Sequence, residues 1–229
     1  MKYIIVGLGN FGASLAEKLT QQGHEVIGID TNMSKVEAMK ERITHTICMD
    51  ARDEYTVTGL PLQDTDVAVI SIGEDQGGNV MATAIFKSLQ VKRIISRAIN
   101  PLHERVLQAL GVDEIVHPEE ETAERWAKKL CLEGVIESFE LSKEYSIVEV
   151  KVPQRYEGKS ILQVDIRKKF NLLILTTIKK LEEKSILGKT RTVTKVQGVA
   201  SPEVILHQDD IMVLYGANKD IQAFLKDND

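Results

Sequence analysis

Residues 2–12 read Lys-Tyr-Ile-Ile-Val-Gly-Leu-Gly-Asn-Phe-Gly, and this stretch decides the fold. Its first part, residues 3–6, is an apolar run rich in β-branched side chains, which predicts a strand. The glycines that follow have the spacing G-x-G-x-x-G. Behind them, apolar residues recur at four-residue intervals, at Phe11, Leu15 and Leu19. That period predicts a helix ending near Gly23, so the glycines lie in a strand-to-helix turn.

The three glycines have distinct roles if this turn binds a nucleotide. Gly7 permits the tight turn, Gly9 lets the backbone approach a pyrophosphate, and Gly12 lets the helix pack closely on the strand. The phosphates would face the free N–H groups and the positive end of the helix dipole, near Asn10 and Phe11. The alternative is an ordinary strand–helix–strand unit whose glycines only make turns.

A carboxylate stands at the end of the second predicted strand. The apolar run over residues 26–29 ends in Asp30, eighteen positions after Gly12. A carboxylate there accepts hydrogen bonds from both ribose hydroxyls. It also repels a 2′-phosphate, so we expect a ligand with a free 2′-hydroxyl. Asn32 follows as a candidate helix cap, and we include it in the candidate site.

Two further positions follow the third predicted strand, over residues 46–49. In an open parallel sheet, ligands bind outside the carboxyl ends of the strands. Asp50 and Ala51 stand at that end, and we expect them to border an adenine ring. Asp50 has a second interpretation, as the cap of the helix after it, and the two roles are compatible.

The carboxyl ends of the fourth and fifth predicted strands complete the candidate site. The fourth strand, residues 67–71, ends in the candidate site residue Ser71, and Ile72, Gly73 and Glu74 follow where the crevice continues. Gly77 and Gly78 predict a break before a helix from about Asn79. The fifth strand ends in Arg97, whose guanidinium is either a phosphate ligand or an ordinary surface group.

A sixth short strand over residues 113–116 completes an α/β fold. Six strands with intervening helices match a Rossmann-like, doubly wound parallel sheet with the strand order 3-2-1-4-5-6. From residue 135 the pattern changes to that of a small α+β module. We therefore predict a nucleotide-binding domain at 1–134 and a smaller C-terminal domain at 135–229.

Composition excludes several classes of protein. The chain has 229 residues, 43% apolar and 28% charged, as in ordinary globular proteins. Its net charge of −5 argues against nucleic-acid binding, which needs a basic face. Cys48 and Cys131 are expected to be buried thiols of a reducing compartment. No apolar run approaches the length of a membrane span, so a membrane role is expected to act through a partner.

The segment 179–200 is locally basic. It holds six lysine or arginine residues and two glutamates, a local charge of +4. A solvated hairpin or loop is the simplest interpretation, and a binding surface is the alternative.

The sequence also resembles a known family at several separate motifs. They are Gly-Leu-Gly-Asn-Phe-Gly at 7–12, Asp30, Met-Asp-Ala at 49–51 and Gly-Val-Asp-Glu-Ile-Val-His-Pro-Glu at 111–119. These resemble the regulator-of-potassium-conductance (RCK) domain, and residues 144–149 and 166–170 are similar to the smaller C-terminal domain of the same proteins. The chain thus resembles a Trk/Ktr-type cytosolic gating subunit of a bacterial potassium transporter.

This resemblance implies a ligand, partners and a location. Family members bind ATP, ADP or NAD(H) in the first domain. Their homodimers assemble into an octameric ring on a separate membrane-embedded potassium-translocating subunit, which implies a cytoplasmic protein, peripheral at the inner face of the cell membrane. Glu119 matches a glutamate that holds a divalent cation, Mg²⁺ or Ca²⁺, in some relatives. From the residues alone, Glu119 is one of three acids that stabilise the first turn of a helix.

We therefore expect a ligand-operated regulator and not an enzyme, because the crevice has no convincing reactive group beside it. The alternative is an NAD-dependent oxidoreductase, which shares the first domain. It would have to recruit His103 or His117 as a proton donor. A third class, a nucleotide-binding transcriptional regulator, requires a basic helix-turn-helix module that is not evident in the sequence.

Overall fold

The computed structural model describes residues 1–131, 134–184 and 190–227. The chain divides into two compact units, Met1–Glu120 and Glu121–Asp229. This division falls inside a helix over Pro118–Cys131, whereas the predicted boundary after residue 134 assigns the whole helix to the first domain. The domain boundary stays a prediction.

The first unit contains a six-stranded parallel sheet. Its strands are β1 (Lys2–Val6), β2 (Glu25–Asp30), β3 (His45–Cys48), β4 (Val67–Ile70), β5 (Ile94–Arg97) and β6 (Glu114–Val116). Its helices are α1 (Asn10–Gln21), α2 (Met33–Met39), α3 (Glu54–Val57), α4 (Gln76–Ser88) and α5 (Pro101–Ala109), with a 3-10 turn at Leu62–Asp64. The strand order is β3-β2-β1-β4-β5-β6, with every neighbouring pair parallel. The predicted Rossmann-like sheet and its order are confirmed.

The parallel sheet is covered by helices on both faces. Ile4 and Val6 of β1 pack in one buried cluster with Phe86 of α4. Ile5, which points to the other face, packs in a second cluster with Val36 of α2. A strand buried on both faces has a continuous apolar sequence, which explains why the strands could be recognised from residue type alone.

The start of α4 differs from the prediction. The helix begins at Gln76, so Gly77 and Gly78 lie in its first turn and do not break the chain. Asp75 caps the helix, and its Oδ1 accepts a hydrogen bond from the Gly78 N–H at 2.8 Å. A Cβ on Gly78 would lie 2.6 Å from Asp75 Oδ2. Glycine therefore allows the capping carboxylate to approach the helix closely.

The predicted burial of Cys48 is wrong. This residue ends β3, a four-residue strand at the edge of the sheet, and its thiol is exposed. An edge strand has no second neighbour to cover its side chains, so an apolar run at that position is only partly buried. The Cys131 side chain lies outside the part of the chain that the structure describes.

The second unit contains an antiparallel sheet in the order β10-β9-β11-β8-β7. Its strands are β7 (Val135–Glu140), β8 (Tyr145–Lys151), β9 (Leu173–Lys184), β10 (Thr190–Val196) and β11 (Ile211–Ala217). The helices are α6 (Pro118–Cys131), which spans the division between the units, α7 (Ile161–Val164), α8 (Ile166–Phe170) and α9 (Asn218–Lys226), with a 3-10 turn at Gln154–Tyr156. Buried side chains from the sheet and from α7, α8 and α9 form one apolar core. The predicted α+β module is confirmed.

The basic segment forms a hairpin. β9 and β10 pair antiparallel from Lys184 opposite Thr190 to Ile178 opposite Val196, while residues 185–189 lie outside the described part. None of the described helices is long and apolar enough to cross a bilayer.

His103 is a buried titratable residue in α5. It is 4% exposed, and neither ring nitrogen has a hydrogen-bond partner among the described residues. Its backbone N–H donates to Asn100 Oδ1 at 2.8 Å as part of the helix cap. Burial disfavours the imidazolium and lowers the pKa of His103.

Stability is therefore expected to depend on pH through His103. The unfolded chain gains a proton at this residue as the pH falls through about 6.5, whereas the folded chain resists protonation until a lower pH. The contribution of neutral His103 to the free energy of unfolding is complete above about pH 6.5 and is lost as the pH falls below it. Urea unfolding across this range should show a smaller pH dependence in His103→Leu than in the unmodified chain. Equal slopes in the two proteins would contradict this expectation.

Candidate functional site

A cleft of about 410 Å³ opens in the first unit outside the carboxyl ends of the strands. It lies where the strand order reverses between β1 and β4, the position at which open parallel sheets bind ligands. Eleven of the thirteen predicted nucleotide-site residues line it: Gly7, Gly9, Asn10, Phe11, Asp30, Asp50, Ala51, Ser71, Ile72, Gly73 and Arg97. Glu119 lines it too. That these residues contact a ligand stays a prediction.

The turn between β1 and α1 is fixed by hydrogen bonds to the two neighbouring strands. Gly7 has φ +95°, and its N–H donates to the Ile29 carbonyl of β2 at 2.7 Å. Ser71, just after β4, donates its hydroxyl to the carbonyls of Val6 at 2.9 Å and Gly7 at 2.7 Å. Only glycine adopts this φ at little cost, so the first glycine of the motif is required by the backbone.

Helix α1 presents free backbone N–H groups to the cleft. Its N-cap is Gly9, which makes no side-chain capping hydrogen bond. The first N–H groups of a helix have no partner within the helix, and Asn10 and Phe11 of the first turn line the cleft. These N–H groups and the positive end of the helix dipole form a site that suits phosphate oxygens.

Two predicted residues lie outside the lining and have structural roles. A Cβ on Gly12 would lie 2.0 Å from the Gly7 carbonyl oxygen, so Gly12 allows α1 to pack against the turn. Asn32 caps α2, where its Oδ1 accepts a hydrogen bond from the Ser34 N–H at 2.9 Å. Gly12 and Asn32 therefore affect the cleft indirectly, by supporting the backbone that lines it.

Asp30 is held rigidly at the end of β2. Its Oδ2 accepts a hydrogen bond from the Leu8 N–H and its Oδ1 from the Asn32 N–H, both at 2.8 Å. Lys35 Nζ is 3.8 Å from Oδ2, and the Asp30 side chain is only 10% exposed. Each carboxylate oxygen keeps capacity for another hydrogen bond. Asp30 can therefore accept from ribose hydroxyls while it connects the glycine turn to α2.

Arg52 joins the loops that follow β3 and β4. Its guanidinium donates to Asp50 Oδ2 at 2.7 Å and to Asp75 Oδ2 at 3.2 Å. The hydrogen bonds from the Arg52 side chain, and then the one from its backbone N–H, lower the pKa of Asp50. All three side chains line the cleft. Asp50 is thus bound to Arg52 and does not cap α3, since Asp53 does so by accepting from the Tyr55 N–H at 3.0 Å.

Arg97 lies deep at the end of β5 and forms an ion pair with Glu119 at the start of α6. Its side chain is 17% exposed, against 67% for Glu119. The guanidinium packs on Gly73, where a Cβ would lie 2.4 Å from the Arg97 Nη1. Arg97 Nε is buried and has no hydrogen-bond partner among the described residues. The arginine is therefore a component of the cleft and not an ordinary surface group.

A buried polar network fixes the ends of β4 and β5. The side-chain amide of Asn79, which is fully buried in α4, donates to the carbonyls of Ile72 at 3.0 Å and Arg97 at 3.3 Å. Its Oδ1 accepts from the Ser96 hydroxyl at 3.0 Å. These contacts hold the backbone just before Gly73 and the backbone of Arg97, and thereby position the Arg97 side chain.

Sequence reasoning missed several residues of the lining. The charged ones are Lys35, Arg52 and Asp75. Their only sequence signal is that each stands within a few positions of a strand's carboxyl end. Long side chains reach the cleft from there, but position alone does not say in which direction they extend.

Glu119, the predicted metal ligand, has no further metal-binding side chains grouped with it among the described residues. Among the residues that the structure describes, no group of three or more His, Cys, Asp or Glu side chains is placed to hold a metal ion. Glu119 is paired with Arg97 instead. The described residues around Glu119 therefore do not form a cation site by themselves, and we derive no step through a bound metal.

The two histidines that an oxidoreductase would need do not line the described cleft. His103 is buried within α5. His117 lies near two carboxylates, with its Nε2 3.6 Å from Glu104 and its Nδ1 3.9 Å from Glu120. Neither side chain is therefore placed to give a proton to a ligand in the cleft.

The doubly wound sheet, the glycine turn and the carboxylate after β2 define a Rossmann-type nucleotide-binding protein. The comparison with protein families agrees with this class: the model described as "TrkA-N domain" matches residues 3–118. The chain belongs to the TrkA-N domain family.

Two curated relatives match almost the whole chain. The chain is 35% identical to the Ktr system potassium uptake protein C of Bacillus subtilis (strain 168), covering 98% of this chain and 96% of the relative. It is 31% identical to the Ktr system potassium uptake protein A of the same organism, covering 97% and 95%. The similarity therefore includes the second unit as well as the family domain.

Solved structures share the fold. The GsuK channel aligns with a TM-score of 0.64 at 19% identity, covering 97% of this chain and 38% of that chain. The GsuK RCK domain aligns with a TM-score of 0.62 at 19% identity, covering 98% and 47%. The chain spans less than half of either. The RCK-like fold expected from the motifs is confirmed.

Proposed function

We propose that this chain is the nucleotide-binding regulatory subunit of a bacterial potassium uptake system, and not an enzyme. The observation that carries the proposal is its similarity, over 98% of its length, to a potassium uptake protein. The glycine turn and Asp30, which meet in one cleft, support an adenine nucleotide as the ligand: ATP, ADP or NAD(H).

Each part of such a nucleotide has a group of matching chemistry in the cleft. The N–H groups at the start of α1 bind the phosphates. The Asp30 carboxylate accepts hydrogen bonds from the ribose hydroxyls. Ala51 and Ile72 provide apolar surface for the adenine ring. The ligand thus bridges the turn after β1 and the loops after β2, β3 and β4.

Regulation follows if the ligand binds two conformations of the assembly with different affinity. A difference of about 1 to 3 kcal/mol is typical of such coupling. We propose that homodimers assemble into an octameric ring at the inner face of the membrane. The ring transmits the conformation favoured by the nucleotide to a membrane-embedded translocating subunit.

The first test is calorimetric titration of the purified chain with ATP, ADP, AMP, NAD and NADH, with and without magnesium or calcium. At least one of these nucleotides should bind at a single site per chain. Potassium flux through the reconstituted translocating subunit should then change when that nucleotide is added. Binding without any effect on flux would refute the regulatory role, and absence of binding would refute the site.

Replacing Asp30 should weaken ribose recognition. In Asp30→Ala the charge-assisted hydrogen bonds to the hydroxyls are lost, which should cost about 1 to 3 kcal/mol of binding free energy. Calorimetry with the preferred nucleotide measures this loss. Asp53→Ala is the matched control, because it removes a capping aspartate next to β3 that does not line the cleft. Equal affinity of Asp30→Ala and the unmodified chain would mean that the ligand lies elsewhere.

A further inference from the structure

Asp210, directly before β11 in the second unit, is a buried carboxylate without a partner. It is 5% exposed, and no other acidic residue in the described part of the chain is buried to this degree. Its Oδ2 accepts no hydrogen bond, and no described lysine, arginine or histidine forms an ion pair with the carboxylate. An uncompensated charge in a protein interior costs far more than an unpaired neutral group. Asp210 therefore needs a counter-charge or a proton.

Thr177 of β9 adds a second unpartnered group on the same face of the sheet. It is 1% exposed, and its Oγ1 has no hydrogen-bond partner among the described residues. Its Cα pairs with that of Met212, which stands two positions after Asp210. Alternate residues of a strand point to the same face, and such diagonal neighbours are about 7–8 Å apart. An atom between the two side chains would therefore contact both oxygens.

The backbone fixes the Asp210 carboxylate in this position. Its N–H donates to the His207 carbonyl at 2.9 Å, and its carbonyl accepts from the Val152 N–H at 3.1 Å. Glu157 holds the same turn, because its carboxylate accepts from the Gln208 N–H and lies 3.1 Å from His207 Nδ1. The His207 imidazole is thus engaged by Glu157 and does not serve as a counter-charge for Asp210.

The chemistry of the two groups selects the species that satisfies them. A water molecule would complete their hydrogen bonds but brings no charge. A proton on Asp210 Oδ2 would create an O–H donor that has no acceptor in the described surroundings. The register continues to Lys179 opposite Asp210, but these two side chains form no ion pair. A cation of single charge, bound between the two oxygens, neutralises the carboxylate and uses the hydroxyl.

A divalent cation fits this pair of groups less well. One carboxylate balances one positive charge, so a divalent ion would leave a net charge in the interior. No group of three His, Cys, Asp or Glu side chains in the described part of the chain is placed to hold such an ion. Charge balance therefore favours a monovalent ion.

We propose that Asp210 and Thr177 bind a dehydrated alkali cation, Na⁺ or K⁺, in the core of the second unit. Carboxylate and hydroxyl oxygens are hard ligands, the kind that alkali and alkaline-earth cations prefer. Backbone carbonyls such as that of His207 keep a second lone pair and provide further oxygens. The bound ion ties β9 to the turn before β11. Both side chains belong to the second unit, so the site is separate from the nucleotide cleft.

The test is hydrogen exchange of the full chain, followed by mass spectrometry, in potassium, sodium or choline chloride. The salts are compared at about 0.15 M, with EDTA, at about pH 8, where histidine is neutral. Peptides covering the turn at 207–210 and the start of β11 should exchange about tenfold more slowly with an alkali cation than with choline. This is the effect of a ligand present at about ten times its Kd. Peptides from β1 should exchange equally in the three salts.

Two variants remove the proposed ligands at nearly constant shape. Asp210→Asn removes the charge and Thr177→Val removes the hydroxyl, and each should lose most of the slowing by the alkali cation. Asp209→Asn is the matched control, because it makes the same change of charge at the exposed neighbouring residue. It should keep the full effect.

Each outcome decides the proposal. Slowing by potassium alone, by sodium alone or by both supports the site and identifies its ion. Equal exchange in the three salts refutes it, as does slowing that persists in Asp210→Asn, since the cation then binds elsewhere. Should Asp210→Asn fail to fold, Thr177→Val still decides: undiminished slowing in that variant would disprove coordination by the two residues together.

Discussion

Gly12→Ala is expected to destabilise the chain by about 3 kcal/mol, because the added methyl group overpacks the contact between α1 and the glycine turn. Its Cβ would lie 2.0 Å from the Gly7 carbonyl oxygen and 2.4 Å from Ser71 Oγ. Neither atom can move freely, since the Ser71 hydroxyl is hydrogen-bonded to that carbonyl at 2.7 Å. Helix propensity acts in the opposite direction, favouring alanine by about 1 kcal/mol. The steric term is the larger one.

Urea unfolding of Gly12→Ala measures this loss, and Gly77→Ala is its matched control. Gly77 also lies in the first turn of a helix, but a Cβ there meets nothing closer than Asp75 Oδ1 at 3.5 Å, an ordinary contact. Gly77→Ala should therefore be as stable as the unmodified chain or slightly more stable. If Gly12→Ala behaved in the same way, the close packing of α1 on the turn would be disproved.

Gly9→Val is expected to abolish nucleotide binding while the fold is retained. Gly9 has φ −72°, which valine also adopts, and a Cβ at this position meets no atom within 4 Å. The side chain would extend into the space where the pyrophosphate approaches the start of α1. An affinity loss of at least about 100-fold, or about 3 kcal/mol, is expected for the preferred nucleotide.

Calorimetry and urea unfolding together decide this second prediction. The free energy of unfolding should change by less than about 1 kcal/mol, the scale of an altered helix cap. Gly9→Ala, with its smaller side chain, should give a smaller loss of affinity than Gly9→Val. Full affinity of the valine variant would show that no phosphate comes close to this turn.

The order of the parallel sheet could be predicted because its strands have a strong sequence signal. Residues such as Ile4, Ile5 and Val6 are apolar in succession, as expected for a strand covered on both faces. Asp30 and Arg97 could be assigned to one site because they end parallel strands, and those ends meet at one edge of the sheet. These predictions depend on the backbone, which local sequence largely determines.

Other features depend on contacts that the local sequence does not specify. The bridge from Arg52 to Asp75 joins residues 23 positions apart through a long side chain. The pairing of Arg97 with Glu119 likewise needs two elements to be placed first. The composition at Gly77 and Gly78 predicts a break in the chain, but the helix begins before them because Asp75 caps it. Cys48 is exposed because its strand lies at the edge of the sheet.

The hydroxyl of Ser71 has a consequence for how the ligand binds. It connects the end of β4 to the consecutive carbonyls of Val6 and Gly7, where β1 enters the turn, and the Gly7 N–H is hydrogen-bonded to β2. The glycine-rich turn is therefore already ordered when the chain is folded, and its backbone entropy is lost at that stage. Association with a nucleotide then requires little additional ordering of this loop. Binding should consequently occur at a preformed site, with a fast association rate.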